Sequence, residues 1–329
     1  MRAKTTIRTG RRICGKFRCN QRMHRFCADR PATGRPTGLS IGMQGRAILR
    51  LQTSVIFYRG SMSTDNDEVG GFKVGKLKVK VYTDRRAAGK AAASAAANTM
   101  QRLATEHANF GVIFATGASQ LETLRELVTL SNVPWGRVNG FHMDEYHGIS
   151  PDHPASFRRY MREQLTERVQ IGRFYEIDGS TSDPDLECQQ YAEKLREYDP
   201  QLCLLGIGEN GHLAFNDPGE ADFNDPEDMK VVHLDAACRE QQVAEGWFSD
   251  PESVPKEALT LTIPTLLRVP RLVVSVPGKR KAAIMKRTLE DPVSTDCPAT
   301  ILRNHPDVTL YLDREAASEL NGWLGKAAG

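Results

Sequence analysis

Residues 206–218, GIGENGHLAFNDP, concentrate side chains that can carry out acid–base chemistry. The histidine, His212, has the side chain whose ordinary pKa lies closest to neutrality, so it can take up and release a proton near pH 7. Asn210 and Asp217 are near enough in sequence to orient the imidazole, and Gly211 lets the backbone approach a ligand closely. A single histidine beside glycines is usually structural, but this density of polar groups favours a catalytic site.

A second candidate is the run Asp144-Glu145-Tyr146, which follows a predicted strand that ends in VNGFHM. A carboxylate at the end of a buried strand is partly removed from water, which raises its pKa and makes it a stronger base. The alternative is that one of the two acids caps the next helix or pairs with Arg158 or Arg159. The motif alone leaves both interpretations open.

Two further strand-to-helix junctions have the chemistry of an anion site. Thr116, Gly117, Ala118 and Ser119 form a turn of small residues that could offer backbone N–H groups and two hydroxyls to a phosphate. A basic run that ends at Lys281 begins a predicted helix, where a cation is unfavourable unless an anion binds there. The alternatives are an ordinary turn capped by a serine and a solvated basic turn.

The elements that must position these residues alternate between strand and helix from residue 76 onward. Short apolar runs predict strands, and the helical periodicity lies between them. The strands fall at 76–82, 111–115, 201–208, 271–276 and 308–312, and the helices at 85–103, 120–130, 156–164, 184–197 and 281–289. This order predicts an α/β fold: a doubly wound, mostly parallel, Rossmann-like sheet with helices on both faces, in a single main domain over 62–329. Ligands of such sheets bind beyond the carboxyl ends of the strands.

The charge is divided unevenly along the chain. Of 44 Lys and Arg residues, 14 fall in residues 1–61 beside one acidic residue, which leaves 30 basic and 40 acidic residues in 62–329. The acidic body gives no indication of nucleic-acid binding. No apolar run reaches the roughly 18 residues that cross a bilayer, so no membrane association is expected.

The basic segment 1–61 has no hydrophobic periodicity. It could be a disordered arm, an organellar transit peptide, or sequence upstream of a true start at Met62, and the third interpretation is favoured. Cys14, Cys19, His24 and Cys27 match no usual zinc spacing, so no metal is expected. The remaining cysteines are scattered, which predicts reduced thiols and a cytoplasmic protein.

The motifs together resemble the glucosamine-6-phosphate deaminase family, also called glucosamine-6-phosphate isomerase, over roughly residues 76–320. The segments that carry the resemblance are MDEYHG at 143, HPASF at 153, GIGENGHLAFNDP at 206, VPKEALTLTIPTLL at 254, GKRKA at 278 and PVSTDCPATILRNHP at 292. The resemblance implies a hydrolase or isomerase of amino-sugar and N-acetylglucosamine catabolism. The implied reaction converts glucosamine 6-phosphate to fructose 6-phosphate and ammonia without a cofactor. A homo-oligomer is one possible assembly.

The resemblance also implies roles for individual residues. Asp144 matches the carboxylate that moves the C2 proton, and His212 matches the histidine that opens the sugar ring. The turn 116–119 and Lys281 match the phosphate site. Asn210 and Asp217 stand where the family often has Asp and Glu, so the histidine motif is that of a divergent branch.

The chain departs from the family in two further places. The family's phosphate-binding arginine has no counterpart near Glu245, Gly246 and Trp247, and Arg239 is the nearest candidate. Acidic residues occupy 220–228, where some members have a basic allosteric segment, so no activation by N-acetylglucosamine 6-phosphate is expected. Two alternative functions are a 6-phosphogluconolactonase-type hydrolase and a sugar-phosphate sensor. The HLAFNDP and DEY residues favour the deaminase, and no helix-turn-helix is recognisable.

Overall fold

The computed structural model describes residues 56–58, 67–244 and 246–321. The strands, in chain order, are β1 (Ile56–Tyr58), β2 (Glu68–Val74), β3 (Leu77–Tyr82), β4 (Phe110–Phe114), β5 (Val138–His142), β6 (Asp144–Tyr146), β7 (Arg173–Tyr175), β8 (Pro200–Leu205), β9 (Met229–His233), β10 (Glu257–Leu261), β11 (Arg271–Val276) and β12 (Val308–Asp313). The α-helices are α1 (Arg85–Glu106), α2 (Leu121–Leu127), α3 (Phe157–Met161), α4 (Pro184–Tyr198), α5 (Ala236–Ala244), α6 (Ile263–Arg268) and α7 (Ala282–Glu290).

A nine-stranded sheet forms the centre of the fold, in the order β1-β2-β3-β12-β11-β8-β4-β5-β7. The seven strands from β3 to β7 pair in parallel. The prediction of a mostly parallel, doubly wound sheet is therefore confirmed. The five strands and five helices with predicted bounds are all present within a few residues of those bounds, and the predicted strand that ends in VNGFHM is β5.

Both faces of the central sheet are buried, because alternate strand residues enter two different hydrophobic cores. In β4, Phe114 joins the core that contains α1 and α2, and Ile113 joins the core that contains α4, α6 and α7. In β8, Leu204 likewise joins the core of α1 and α2, and Cys203 joins the core of α4, α6 and α7. Strands covered on both faces are apolar throughout, which is why they appear in the sequence as continuous apolar runs.

Two antiparallel parts of the fold were not predicted. At one edge, β1 pairs with β2 and β2 with β3, all antiparallel. A separate three-stranded sheet, β6-β10-β9, is antiparallel throughout. It joins Asp144 of β6 to Thr260 of β10, residues more than a hundred positions apart, and its strands are too short for a periodic signal.

Strand β1 lies inside segment 1–61, which was expected to be a disordered leader, and its backbone pairs with β2. The rest of that segment lies outside the described residues, as do Met62 and the cysteines near the N-terminus. The expectation about the starting residue stays a prediction. Within the described ranges, no helix has the length and apolar character that a membrane crossing requires.

Candidate active site

A cavity of about 400 Å³ opens at the carboxyl ends of β4, β8 and β11. Three loops line it: residues 115–119 after β4, 206–209 after β8 and 277–281 after β11. Asp144 and His212 also line it, so the structure brings together motifs that are spread over residues 116–281 of the sequence. The location is the one expected for a ligand site in a parallel α/β sheet.

Two of these loops share one backbone feature, a glycine with positive φ. Gly117 has φ +90° and Gly278 has φ +96°, and each precedes a short 3-10 turn that leads into a helix. Such φ values favour glycine, although a methyl group would meet no atom within 4 Å at either position. The Gly278 amide donates to both carboxylate oxygens of Asp313, which anchors the second loop. The Gln120 side chain donates to carbonyl oxygens at the ends of β8 and β11, both at 3.3 Å, and so ties the first loop to them.

Asp144 starts β6 and is almost fully buried, with 6% of its surface exposed. Burial raises its pKa well above the usual value for aspartate, and the neighbouring Glu145 charge raises it further. A hydrogen bond from the Thr116 hydroxyl opposes this shift by stabilising the charged form. Among the described residues, the Asp144 Oδ1 atom has no hydrogen-bond partner, although the side chain lines the cavity. This arrangement suits a base of raised basicity with one oxygen available to a ligand.

The adjacent acid, Glu145, has a different surrounding. Its carboxylate is fully buried and accepts hydrogen bonds from the Ser156 hydroxyl and from the amides of Phe157 and Arg158 at the start of α3. The Arg158 guanidinium lies 3.3 Å from it. The alternative that one acid of the pair caps a helix and binds an arginine therefore holds for Glu145, while Asp144 faces the cavity.

His212 is held by a carboxylate. Its Nδ1 lies 2.7 Å from Oδ1 of Asp217, and the Asn210 carboxamide donates to the same oxygen at 2.6 Å. Burial opposes the charge on Asp217, but the attraction of His212 and these hydrogen bonds outweigh it and lower the Asp217 pKa to about 2. An ionised Asp217 assigns the proton to Nδ1 of the histidine, which leaves Nε2 as the acceptor. Asn210 and Asp217 do not line the cavity themselves and act on it through His212.

Gly208 makes room for the imidazole. A methyl group at this position would lie 2.1 Å from the Nε2 atom of His212, far inside contact distance. Gly208 also donates its amide to the His212 carbonyl and accepts from the Gly211 amide. Two residues beyond the histidine, Ala214 has φ +52°, an unusual value for a residue with a side chain, and it lines the cavity.

Gly211 was predicted to bind substrate, and it does not line the cavity. Its φ is +93°, its amide donates to Gly208, and its carbonyl accepts from the Ala299 amide. A methyl group there would lie 2.7 Å from the sulfur of Cys297, on the side of α7. Both backbone groups are thus hydrogen-bonded within the protein, and Gly211 forms part of the turn that precedes the histidine.

Four cationic side chains line the cavity: Arg85, Lys279, Arg280 and Lys281. Arg280 pairs with Glu209 at 2.8 Å across the cavity edge. Arg239, suggested from the sequence as the phosphate-binding arginine, is not among the lining residues. It donates to the Pro251 carbonyl at 3.2 Å, because helix α5 directs its side chain away from the cavity.

Several lining residues had no signal in the sequence patterns. Helix α5 and the turn after it contribute Gln241, Gln242 and Trp247, and the α3 region and the histidine loop contribute Phe157 and Phe215. The two glutamines could have been noticed as uncharged polar residues in a short helix, but the face they occupy depends on tertiary packing. Within 67–244 and 246–321, no three His, Cys, Asp or Glu side chains are grouped so that they could hold a metal ion.

The fold and the cavity define an α/β protein with a buried aspartate and a histidine in one cavity at the carboxyl edge of a doubly wound sheet. The chain belongs to the family described as glucosamine-6-phosphate isomerases/6-phosphogluconolactonase, whose model matches residues 83–311. The glucosamine-6-phosphate deaminase of Exiguobacterium sibiricum is 39% identical over 207 residues, which is 63% of this chain and 80% of that protein. That of Halothermothrix orenii is 36% identical over 214 residues, 63% of this chain and 86% of that protein.

The solved structures agree with the family. A monomeric glucosamine-6-phosphate deaminase superposes with a TM-score of 0.68 at 32% identity and covers 73% of this chain and 99% of its own. A 6-phosphogluconolactonase from Thermotoga maritima gives a TM-score of 0.60 at 21% identity, covering 72% of this chain and all of its own. At that identity, the lactonase shows a shared fold only.

Proposed function

We propose that this chain converts glucosamine 6-phosphate and water into fructose 6-phosphate and ammonia. The observation that carries the proposal is the buried Asp144, whose Oδ1 has no partner among the described residues and whose side chain lines the same cavity as His212. Relatives named glucosamine-6-phosphate deaminase at 36–39% identity support the substrate. The comparisons support an isomerase with loss of ammonia and give no support to the expected hydrolase label.

The phosphate of the substrate binds at one end of the cavity. The turn 116–119 contributes hydroxyls and backbone, and Lys281 contributes a positive charge from the neighbouring loop. Because the two loops follow strands of one sheet, they approach a phosphate from two sides. Binding here fixes the position of the sugar carbons relative to Asp144 and His212.

His212 opens the sugar ring. Its Nε2 accepts the proton of the C1 hydroxyl, and the imidazolium then donates a proton to the ring oxygen as the C1–O bond of the ring breaks. Asp217 stabilises the transient positive charge, since its pKa of about 2 keeps it ionised. The product of this step is the open aldehyde.

Asp144 then carries out the isomerisation. Its carboxylate takes the proton from C2, the electron pair forms a C1–C2 double bond, and the aldehyde oxygen takes a proton from water. Asp144 returns its proton to C1, which gives an iminium ion at C2, and this ion releases one N–H proton to water to become the imine. Water adds to this imine and ammonia leaves, which yields the ketone. The raised pKa of Asp144 suits a base that must remove a weakly acidic C–H proton.

The test is a substrate comparison with the full chain. We expect ammonia and fructose 6-phosphate in equal amounts from glucosamine 6-phosphate, and no acid release from 6-phosphogluconolactone above the uncatalysed rate. Lactone hydrolysis without ammonia release would replace the proposal with the lactonase alternative. Turnover of neither compound would remove the enzymatic assignment.

The cellular setting is part of the same proposal. Cys188, Cys203, Cys238 and Cys297 are free and buried, which agrees with a reducing compartment and supports a cytoplasmic enzyme of amino-sugar and N-acetylglucosamine catabolism. Cell fractionation tests the location. A mass measurement in solution tests whether the chain forms a homo-oligomer.

A further inference from the structure

Helix α5 presents a polar stripe to the active site. Cys238, Gln241 and Gln242 are spaced i, i+3 and i+4, so their side chains lie on one face of the helix. The two glutamines line the cavity. None of these three residues has a role in the proposed reaction.

The stripe contacts both catalytic halves of the site. The Oε1 atom of the Gln241 side chain accepts a 3.3 Å hydrogen bond from the backbone amide of Glu209, in the loop that leads to His212. The Cys238 thiol lies beside the Asp217 carboxylate, whose charge, after burial, raises the thiol pKa. Gln242 reaches the other half through Tyr146 in β6.

The orientation of the Gln242 carboxamide is fixed. Gln242 has 6% of its surface exposed, and its Oε1 accepts a 2.7 Å hydrogen bond from the Tyr146 hydroxyl. Tyr146 is fully buried against the rings of Phe157, Phe215 and Phe248, so its hydroxyl has one defined position. With the oxygen held there, the amide nitrogen must point elsewhere.

That nitrogen has no hydrogen-bond partner in residues 67–244 or 246–321, and the side chain lines the cavity. The nitrogen is not a fully buried atom but is accessible from the cavity that Gln242 lines. A ligand in the cavity can therefore supply the acceptor that the protein does not. The feature therefore points to a ligand atom that completes the hydrogen bond.

The position selects which part of the ligand this is. Tyr146 and Asp144 are two residues apart in β6, so their side chains leave the strand on the same face. Gln242, which binds the Tyr146 hydroxyl, therefore lies on the face of β6 that carries Asp144, the residue proposed to act on the sugar carbons. Lys281 and Ser119 lie in the loops assigned to the phosphate.

We propose that the Gln242 carboxamide nitrogen donates a hydrogen bond to an oxygen of the sugar carbon chain and so contributes to substrate specificity. An amide nitrogen only donates, so its partner is a hydroxyl or carbonyl oxygen and cannot be a protonated amine. The inference rests on the proposed function. Gln242 would favour a sugar that has an oxygen at this position over a sugar that lacks one.

The test uses two substitutions of similar size. Gln242→Glu keeps an acceptor for Tyr146 and removes the donor at a pH where the acid is ionised, whereas the neutral Gln242→Met removes both functions. Gln190→Glu, on the exposed face of α4, is the control for added charge. Each variant is measured for kcat and KM with glucosamine 6-phosphate, for competitive inhibition by inorganic phosphate, and for thermal unfolding.

We expect both Gln242 variants to lose about tenfold in kcat/KM, mainly through KM, the change that corresponds to about 1.4 kcal/mol. Inhibition by inorganic phosphate should stay within twofold of the wild type, because the phosphate loops are untouched. Gln190→Glu should match the wild type in every measurement.

Two results would overturn the inference. If Gln242→Glu keeps the wild-type kcat/KM while Gln242→Met loses it, then the glutamine serves only to hold Tyr146. If phosphate inhibition weakens as much as sugar binding does, the donor does not select a sugar oxygen. Calorimetric measurement of glucosamine 6-phosphate binding separates failure of the inference from failure of the proposed function. A wild type that binds the compound without turnover contradicts the proposed reaction. Gln242 variants that bind it as tightly as the wild type contradict the inference.

Discussion

Gly208 is where a single methyl group should disable the site without unfolding the protein. In Gly208→Ala, the added carbon would lie 2.1 Å from Nε2 of His212, whereas ordinary contacts begin near 3.4 Å. The imidazole must therefore move by more than 1 Å. The backbone at Gly208 does not adopt the left-handed φ values that alanine resists, so the substitution strains the ring and not the chain.

The displacement has a calculable consequence. The bond from His212 Nδ1 to Asp217 is 2.7 Å, and a shift of this size takes it beyond the roughly 3.2 Å limit of a hydrogen bond. A misplacement of about 1 Å in a catalytic group costs about 100-fold in rate. The lost charge-assisted bond should lower the free energy of unfolding by about 1.5 to 3 kcal/mol.

The assay is steady-state ammonia release from glucosamine 6-phosphate, with inhibition by inorganic phosphate as an internal measure of the phosphate site. We expect kcat to fall about 100-fold, with unchanged phosphate inhibition. Gly136→Ala is the matched control, because a methyl group there meets no atom within 4 Å. If Gly208→Ala keeps kcat within threefold of the wild type, then the position of His212 does not limit the reaction and the reasoning is refuted.

Three other predictions follow from charges in and near the site. Thr116→Val removes the hydrogen bond that lowers the Asp144 pKa, so the acid limb of the kcat/KM profile should move to higher pH while the plateau at high pH is retained. Asp217 has its pKa lowered from 3.8 to about 2, so its charge stabilises the fold above its unfolded pKa and this stability disappears as pH falls through about 2. Asp217→Asn should therefore lower the free energy of unfolding near pH 7 by about 2 kcal/mol and remove that pH dependence, as urea unfolding at several pH values would reveal. A dose series of N-acetylglucosamine 6-phosphate should produce no cooperative activation, because residues 220–228 are acidic; sigmoidal activation would contradict this.

The parallel strands could be predicted because burial on both faces makes them continuously apolar. Strand β4 has no polar side chain, and β8, β11 and β12 are apolar except at one or two positions each. The residues directly after β4, β8 and β11 line the cavity. The motifs at Asp144 and His212 were found for the same reason, since ligand sites of parallel sheets begin where strands end. Local sequence was thus sufficient to predict the parallel strands and to locate the motifs of Asp144 and His212 at the cavity. The catalytic roles of these two residues stay predictions.

Features that depend on long-range packing could not be read from the sequence. Successive side chains of β6 point to opposite faces, so Asp144 faces the cavity while Glu145 is buried and pairs with Arg158. The strand has only three residues, which is too short for this division to be predicted. The face of α5 that carries Gln242 is likewise decided by contact with Tyr146, almost a hundred residues away. Arg239 was a reasonable candidate by spacing, but the helix directs it toward Pro251.

The central claim is that Asp144 carries the proton between sugar carbons in a reaction that releases ammonia. The most direct measurement compares ammonia release from glucosamine 6-phosphate by the full-length wild type, by Asp144→Asn and by Asp185→Asn, an exposed control in α4. General acid–base catalysis of this kind contributes about 10² to 10⁴-fold. We predict that Asp144→Asn loses activity by that factor while it keeps the fold and the inhibition by inorganic phosphate, and that Asp185→Asn is unchanged. An Asp144→Asn variant that releases ammonia at the wild-type rate would contradict the account.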